Sequence, residues 1–376
     1  MRVAVAGRTY LLQANRAKWC HLPSSAEITF ITPAWVPHTL GRYHVERAKK
    51  RPHYVVPGYW AGRSSGFFFA PGPLWRALQH IRPELVQIDE EPSSLALLET
   101  LILGSHLGYK TIFFTWENKV NNYPFPFNVI LKANLRWATG AMAGNRDAAV
   151  LLRTSGFHGP LAVIPQLGVD PGHFAPGRNN RLRRSLGLRT FTVGYLGRLV
   201  QEKGLWVLLE ALSRLEGNWQ CLLVGDGPLR DEWMKQAKLR GLAERVIWQP
   251  TVHHLIVPDY LNAMDVLALP SLTMPRWKEQ FGHVLIEAMS CEIPVIGSNS
   301  GAIPEVIGDA GIIVPEGDAG ALADALRWLR KTPADRKSLG QRGRRRVIAL
   351  YTHEKVAHQT WVFWQEVMGA DSSVRR

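Results

Sequence analysis

Short, continuous apolar runs recur along the chain, separated by longer stretches with the periodicity of amphipathic helices. Residues 3–6, 28–31, 85–88, 111–114 and 161–164 are runs of the length expected for strands buried on both faces, and residues 93–107 between two of them read as a helix. The alternation restarts at Phe191, after a basic segment carrying proline and glycine over residues 171–187. Alternating strand and helix predicts an α/β architecture of parallel sheets covered by helices, with ligands bound at the carboxyl ends of the strands. The pattern therefore predicts two Rossmann-like domains, residues 1–180 and 188–352. A third segment, 353–376, holds a helical pattern over residues 355–368 rich in Trp361, Phe363 and Trp364, and ends in a frayed tail. A length of 376 residues suits two domains at roughly 150 residues each.

Charge changes this picture in one half only. Residues 1–185 carry 22 Lys and Arg against 10 Asp and Glu, or +12, while residues 186–376 carry 23 against 21, or +2. Residues 1–80 alone hold 11 basic and 2 acidic side chains, a balance that favours an anionic partner. Tyr54, Tyr59, Trp60, Phe67, Phe68, Phe69 and Trp75 lie among those charges. Aromatic residues beside cations suit peripheral contact with an anionic membrane; the other reading makes residues 54–60 and 67–69 core strands. No nucleic-acid motif accompanies the charge, so nucleic acid is not expected as a partner. No apolar run reaches the ~18 residues of a membrane span, and no signal-peptide pattern opens the chain. The expected location is the cytoplasm, with association at the inner face of the cell membrane as an extension. Cys20, Cys221 and Cys291 lack metal-ligand spacing and read as ordinary buried thiols.

The densest chemistry lies in residues 279–289. Glu279 and Glu287 flank Gly282, which opens a helix, so that Glu279 falls in the preceding loop and Glu287 on the second turn. The first N–H groups of a helix have no internal partner and the helix dipole is positive there, which makes the segment near Gly282 and His283 an expected anion site. Arg198 and Lys203 stand at another expected helix start, where cations are disfavoured without an anion nearby. Glu287 sits in an otherwise apolar run, residues 284–289, where a lone buried carboxylate would be costly; a ribose diol offers it two donors. A ligand with a sugar at one end, a diphosphate in the middle and a ribose at the other fits this set. The His283 ring is open to packing or ligand contact, and Asp226, between Gly225 and Gly227, reads as a turn former.

With residues 194–199 and 202–204, the ordered segments 164–170, 223–228, 266–271, 300–305 and 311–315 give a pattern covering roughly residues 84–350. It resembles the retaining GT-B glycosyltransferases of the Glu-x7-Glu family (glycosyltransferase family 4, group 1), which includes glycogen synthases and bacterial mannosyltransferases. The resemblance implies two Rossmann-like domains facing across a cleft, with a C-terminal helix crossing back to the first. It further implies retaining transfer of a hexose from a UDP- or GDP-linked sugar to a glycan or lipid-linked acceptor, in cell-envelope or exopolysaccharide synthesis. Gly197, Arg198, Lys203, Glu279, Phe281, Gly282, His283, Val284 and Glu287 would then form the donor site, with Arg198 and Lys203 on the diphosphate and Glu279 on the sugar. No Asp-x-Asp pair occurs, so no cofactor and no metal is expected; Arg198, Lys203 and the helix start would stabilise the leaving charge.

The first domain departs from that family pattern. Residues 7–15 hold one glycine where relatives have a pair, and Trp116 and Glu117 stand where many have a histidine. Glu117 is the candidate for acceptor contact or proton acceptance, and Asp89 and Glu90, at the end of a strand, join Trp116 as candidate acceptor ligands. These acids have the alternative use of capping helices. Glu292 occupies the family's helix-ending glycine, so a differently built cap is expected, a left-handed non-glycine residue costing ~1 kcal/mol. Two other functions fit the fold. One is a non-catalytic nucleotide-sugar-binding or scaffold protein, motivated by the missing histidine and glycine pair; the other is a phosphorylase, whose cofactor-bearing lysine has no visible motif.

Overall fold

The computed structural model describes residues 1–38, 41–47, 51–177 and 180–369. The chain divides into two compact units, Met1–Gly168 with His353–Arg376, and Val169–Thr352.

The sheet of the first unit contains Arg2–Ala6 (β1), Glu27–Thr32 (β2), His53–Val55 (β3), Leu85–Ile88 (β4), Lys110–Thr115 (β5), Gly140–Ala143 (β6) and Leu161–Val163 (β7). All pairings are parallel, in the order β7-β6-β5-β4-β1-β2-β3. The strand order reverses between β1 and β4, which are neighbours in the sheet though their paired residues are 82 apart in the chain, as the Val3–Leu85 to Ala6–Ile88 register shows. The helix Leu95–Leu107 begins at Ser94, whose hydroxyl accepts from the Leu97 N–H, and ends at the left-handed Gly108.

The last helix, His353–Gly369, belongs to this unit, as the family resemblance implies. Its Trp364 is fully buried, stacks on Trp19 at 5.5 Å and donates its indole N–H to the Gln87 amide oxygen at 2.8 Å. Val356, Phe363 and Val367 complete one of the two cores that cover the faces of the sheet. The frayed tail expected over residues 371–376 lies outside the described residues.

In the second unit Phe191–Leu196 (β8), Trp219–Val224 (β9), Val246–Gln249 (β10), Val266–Leu269 (β11), Val295–Ser298 (β12) and Ile312–Val314 (β13) form a parallel sheet in the order β10-β9-β8-β11-β12-β13. Here the order reverses between β8 and β11.

Several expectations need amendment. The segment over residues 171–187, expected as a linker, is tied to the second unit: Phe174 is buried, and buried Arg183 donates to the Ala263 and Thr190 carbonyls and pairs with Asp265 at 3.4 Å. Desolvated cations need such partners, and Ala263, Thr190 and Asp265 all belong to that unit. Of the aromatics considered for a membrane, Phe67 and Phe69 are core, Tyr54, Phe68 and Trp75 are half-buried, and Tyr59 and Trp60 are exposed. Cys20 is exposed rather than buried, whereas burial pushes the Cys221 and Cys291 thiols up to about 12. Glu292 does adopt the left-handed conformation, φ 57°. The turn is held by Glu292 N–H to the Met289 carbonyl at 3.1 Å and Ile293 N–H to the Ala288 carbonyl at 2.9 Å, and Gly340 leaves room for the Glu292 carbonyl.

Candidate functional site: two strand-order reversals

In the second unit the loops after β8, β9 and β11 meet backbone to backbone. Gly197 ends β8, and a Cβ on Gly225 (φ 137°), after β9, would lie 2.0 Å from the Gly197 carbonyl oxygen. A Cβ on Gly204 (φ 69°) would lie 1.7 Å from the Pro270 carbonyl oxygen, just beyond β11. Only glycine permits contacts this close at these dihedrals. The contact between Gly204 and Pro270 carries Lys203 into the loop that holds Glu279. Lys203 Nζ lies 2.7 Å from Glu279 Oε2 and 5.0 Å from the centre of the Trp277 ring, while the Ser271 hydroxyl donates to the same carboxylate oxygen at 2.8 Å. The Glu279 backbone is also held: its carbonyl accepts from the Ala302 N–H at 3.0 Å, and a Cβ on Gly301 would come within 2.0 Å of it.

Glu279 lies in the loop before the helix His283–Ser290, and Gly282 caps that helix in the left-handed region, φ 78°. A glycine cap leaves no side-chain oxygen to compete for the first turn's donors. Phe281 and Gly282 are buried, and Val284 is half-buried on the first turn. The His283 ring packs 4.8 Å from Phe281, and burial lowers its pKa. Glu287, on the second turn, accepts from His254 Nε2 at 3.3 Å; that hydrogen bond raises His254 above its usual range. The carboxylate read as lone in an apolar helix thus has a protein partner, one the sequence offered no local signal for. Arg198 is 68 % exposed and 3.6 Å from Glu202. Asp226 is a turn residue, accepting from the Gly227 N–H at 2.8 Å.

In the first unit the reversal between β1 and β4 opens a cavity of about 390 Å³, lined among others by Arg8, Thr9, Asp89, Glu90, Glu91 and Trp116. Gly7 (φ 143°) ends β1 and releases Arg8, whose guanidinium grips Glu90: Nε to Oε1 at 2.9 Å and Nη2 to Oε2 at 2.5 Å. Arg8 Nη1 donates to the Ala61 carbonyl at 2.8 Å. Asp89 accepts from the Tyr10 hydroxyl at 2.5 Å, the Gln87 amide at 2.8 Å and the Gln166 amide at 3.0 Å. Gln166 in turn accepts from the Trp116 indole at 3.1 Å.

Glu91 carries the turn after β5. It accepts from the Thr115 hydroxyl and from the backbone N–H groups of Trp116 (3.2 Å) and Glu117 (3.4 Å). Burial pushes its carboxyl up to about 7, with the Glu117 charge adding to that shift and the Thr115 hydroxyl opposing it. Glu117, the sequence's candidate, is absent from the cavity lining; its Oε1 accepts from Asn121 at 2.5 Å and Tyr123 at 2.7 Å. Sequence reasoning assigned Arg8 no role and marked Glu91 only as a member of the acidic turn 89–92 facing the expected cleft. The available signal was positional, since both follow strands that flank the reversal.

Comparison with known proteins agrees with these two sheets. Over 97 % of its length the chain superposes on the whole of an Anabaena protein, HepE, solved with UDP, at a TM-score of 0.77 and 17 % identity. Over 98 % of its length it superposes on 99 % of a sucrose-phosphate synthase from Thermosynechococcus elongatus, at 0.72 and 22 %. The fold is GT-B. Within this GT-B chain, residues 179–346 match the family model described as glycosyl transferases group 1. Among curated relatives, a GDP-mannose-dependent α-(1-6)-phosphatidylinositol monomannoside mannosyltransferase of Mycolicibacterium smegmatis is 32 % identical over 50 % of this chain and 52 % of its own. An N-acetyl-α-D-glucosaminyl L-malate synthase of Bacillus anthracis is 34 % identical over 44 % of this chain and 43 % of its own. The GT-B chain thus spans about half the length of the curated relatives it matches.

Proposed function

We propose that this chain is a retaining glycosyltransferase of family 4, with Glu279 and Glu287 as its Glu-x7-Glu pair. It moves a hexose from a UDP- or GDP-linked sugar to a glycan or lipid-linked acceptor, without a metal, in cell-envelope or exopolysaccharide synthesis. The observation that carries the reading is the convergence at the second unit's strand reversal of Lys203, Glu279 and the glycine-capped helix start. The match of residues 179–346 to group 1 glycosyl transferases supports it. So do two relatives' names, one specifying GDP-mannose and one a structure with UDP.

In this mechanism the bond between the anomeric carbon and the diphosphate oxygen breaks, with its electron pair leaving on the diphosphate. The acceptor oxygen bonds to the same face of that carbon and its proton passes to the departing phosphate. Arg198, Lys203 and the helix start at Gly282 are positive groups positioned for the leaving charge, an arrangement that lowers the barrier without reorganisation. Glu279 holds sugar hydroxyls while shared by Lys203 and Ser271, and Glu287 exchanges His254 for the ribose diol. Gly197, Phe281, His283 and Val284 shape the donor site. Asp89, Glu90, Trp116 and Glu117 belong to the acceptor side, Asp89, Glu90 and Trp116 lining the cavity and Glu117 supporting its edge.

Of the aromatics behind the expected bilayer contact of the basic first domain, Tyr59 and Trp60 are exposed and available to it, and we add to them the helix Phe127–Trp137 and its approach, where Phe125, Val129 and Trp137 are exposed and Lys132 and Arg136 supply charge. No acidic residue occurs between positions 118 and 146. Such a face suits anionic lipid at the inner surface of a cell membrane. Cosedimentation with anionic but not neutral vesicles, lost at high salt, is the expected result; equal sedimentation with both removes the assignment.

Release of nucleoside diphosphate from UDP-, GDP- and ADP-sugars in EDTA, with thermal shift alongside, tests the central claim. Slow hydrolysis of one donor and stabilisation by its nucleotide are expected. Activity abolished by EDTA and restored by magnesium would refute metal independence.

A further inference from the structure

We propose that the cavity at the first unit's strand reversal binds a polyhydroxylated ring carrying no anionic group, and rejects its phosphorylated counterpart. This rests on the transferase reading in naming the ring as acceptor, but the binding chemistry stands on the cavity alone.

The first domain is basic, and its overall charge points to an acidic or phosphate-bearing partner. The cavity has the opposite sign. Among the described residues Arg8 is the one cation in its lining, against the carboxyl groups of Asp89, Glu90 and Glu91. Arg8 is committed to Glu90 through two nitrogens and to the Ala61 carbonyl through the third. Two other described cations stand close by without lining the cavity: exposed Arg63, between the lining residues Gly62 and Ser64, and Lys18, whose ammonium is fully buried, 4.2 Å from the Trp19 ring, and has no hydrogen-bond partner. A phosphate entering here would meet net negative charge and no uncommitted cation among the described lining side chains, and like charges at close range cost several kcal/mol.

What the lining does offer is hydroxyl and apolar chemistry. Thr9 and Ser64 contribute hydroxyls, Trp116 a half-exposed indole, and Val36 and Pro37 an apolar wall. The indole is fixed by its N–H bond to Gln166. It packs so closely on Gly144 that a Cβ there would fall 2.1 Å from its ring. A rigid aromatic face beside carboxylates is the combination that receives a sugar: the ring's C–H face lies on the indole and its hydroxyls donate to the carboxylate oxygens. An ammonium substituent would strengthen the second contact. The volume of about 390 Å³ falls in the range of roughly 300–1,000 Å³ found for small-molecule sites.

The test is binding to the full chain at pH 7, read by saturation-transfer NMR titration with three probes: methyl α-D-glucopyranoside, glucosamine and glucose 6-phosphate. The first two are expected to bind, and the phosphate on the order of tenfold more weakly or not at all. Trp116→Ala should abolish probe binding. Thr9→Lys adds an uncommitted cation while leaving the Arg8–Glu90 pair in place, and should raise phosphate affinity above that of the neutral probe. Glu90→Gln, which releases Arg8, should move in the same direction; Thr9→Lys keeps the test alive if Glu90→Gln does not fold. Glucose 6-phosphate binding the wild type as tightly as the neutral probe, binding indifferent to Trp116→Ala, or binding of none of the three would overturn the proposal. Donor hydrolysis measured on the same samples reads the second unit: its absence with ring binding intact would sink the transferase reading and spare the cavity.

Discussion

The two units share one topology and line it with different side chains. Each sheet reverses its strand order at a single point, between β1 and β4 in the first and between β8 and β11 in the second. At such points the loops diverge to opposite faces of the sheet and leave a crevice at the carboxyl ends of the strands. In the second unit the crevice is walled by glycine backbone and centred on Lys203 and Glu279. In the first, among the described residues, it is lined by three carboxyl groups and one cation that is already paired. On the two readings proposed above, topology supplies the location in both, and the loop side chains set which ligand each would take.

Gly301→Ala should have the largest effect and should be confined to the second unit. Its Cβ would collide with the Glu279 carbonyl from a left-handed backbone, φ 52°. Donor hydrolysis is expected to fall about 100-fold, as misplacement of a positioned group by an ångström does. The nucleotide thermal shift should vanish while ring-probe binding in the first unit persists. Unchanged hydrolysis would detach the Glu279 loop from the donor site.

Next come the paired cations. Lys203→Met leaves the Glu279 carboxylate enclosed without its counter-charge, and urea unfolding should show a loss of about 3 kcal/mol. Adding Glu279→Gln to the same chain should restore part of it. Arg8→Met should cost a similar amount through Glu90, and equal losses would show that both crevices rest on one buried pair each. A loss below about 1 kcal/mol at either would mark that pair as no stronger than a surface one.

The units should also separate with pH. Glu91 and Glu99, both in the first unit, are pushed up to about 7 by burial. A carboxyl whose folded pKa is raised holds its proton longer in the folded state, so its stabilisation is complete below about 4.5, the unfolded value, and is lost as pH rises through about 7. The thermal midpoint of the first unit should therefore decline between these limits and level off above. Glu99→Gln, which keeps an acceptor for the Phe69 N–H, should flatten the decline; a slope unaltered by it would assign the titration elsewhere. The smallest effect is expected from His254→Asn. Its contact with Glu287 is half-exposed, and removal should change stability by less than about 0.5 kcal/mol. Its influence should instead appear as a shift in the pH dependence of nucleotide affinity.

Much of this was legible in the chain. Continuous apolar runs announced the buried parallel strands because a strand covered on both faces has no polar positions to spare. The helix starts at Ser94 and Gly282 follow from local backbone chemistry, and the last helix declared itself by its buried aromatic face. Residues that act through neighbours far along the chain were not legible. Phe67 and Tyr59 are alike in composition and neighbourhood, yet one is core and the other surface, because the short hairpin pairing Tyr59 with Phe68 turns only one of them inward. The Glu91 role, the withdrawal of Glu117 and the capture of residues 171–187 by Arg183 likewise depend on loops from different strands.

By itself, then, the sequence determined the alternation of elements, the two-domain plan and the glycines at turns, since periodicity and backbone freedom are properties of a few consecutive residues. Tertiary structure alone decided that Lys203 would meet Glu279 across 76 positions and Arg8 would meet Glu90 across 82. A reversal in strand order brings together the ends of strands distant in the chain, and the partner each charge finds there is set by that adjacency rather than by anything beside it in the sequence.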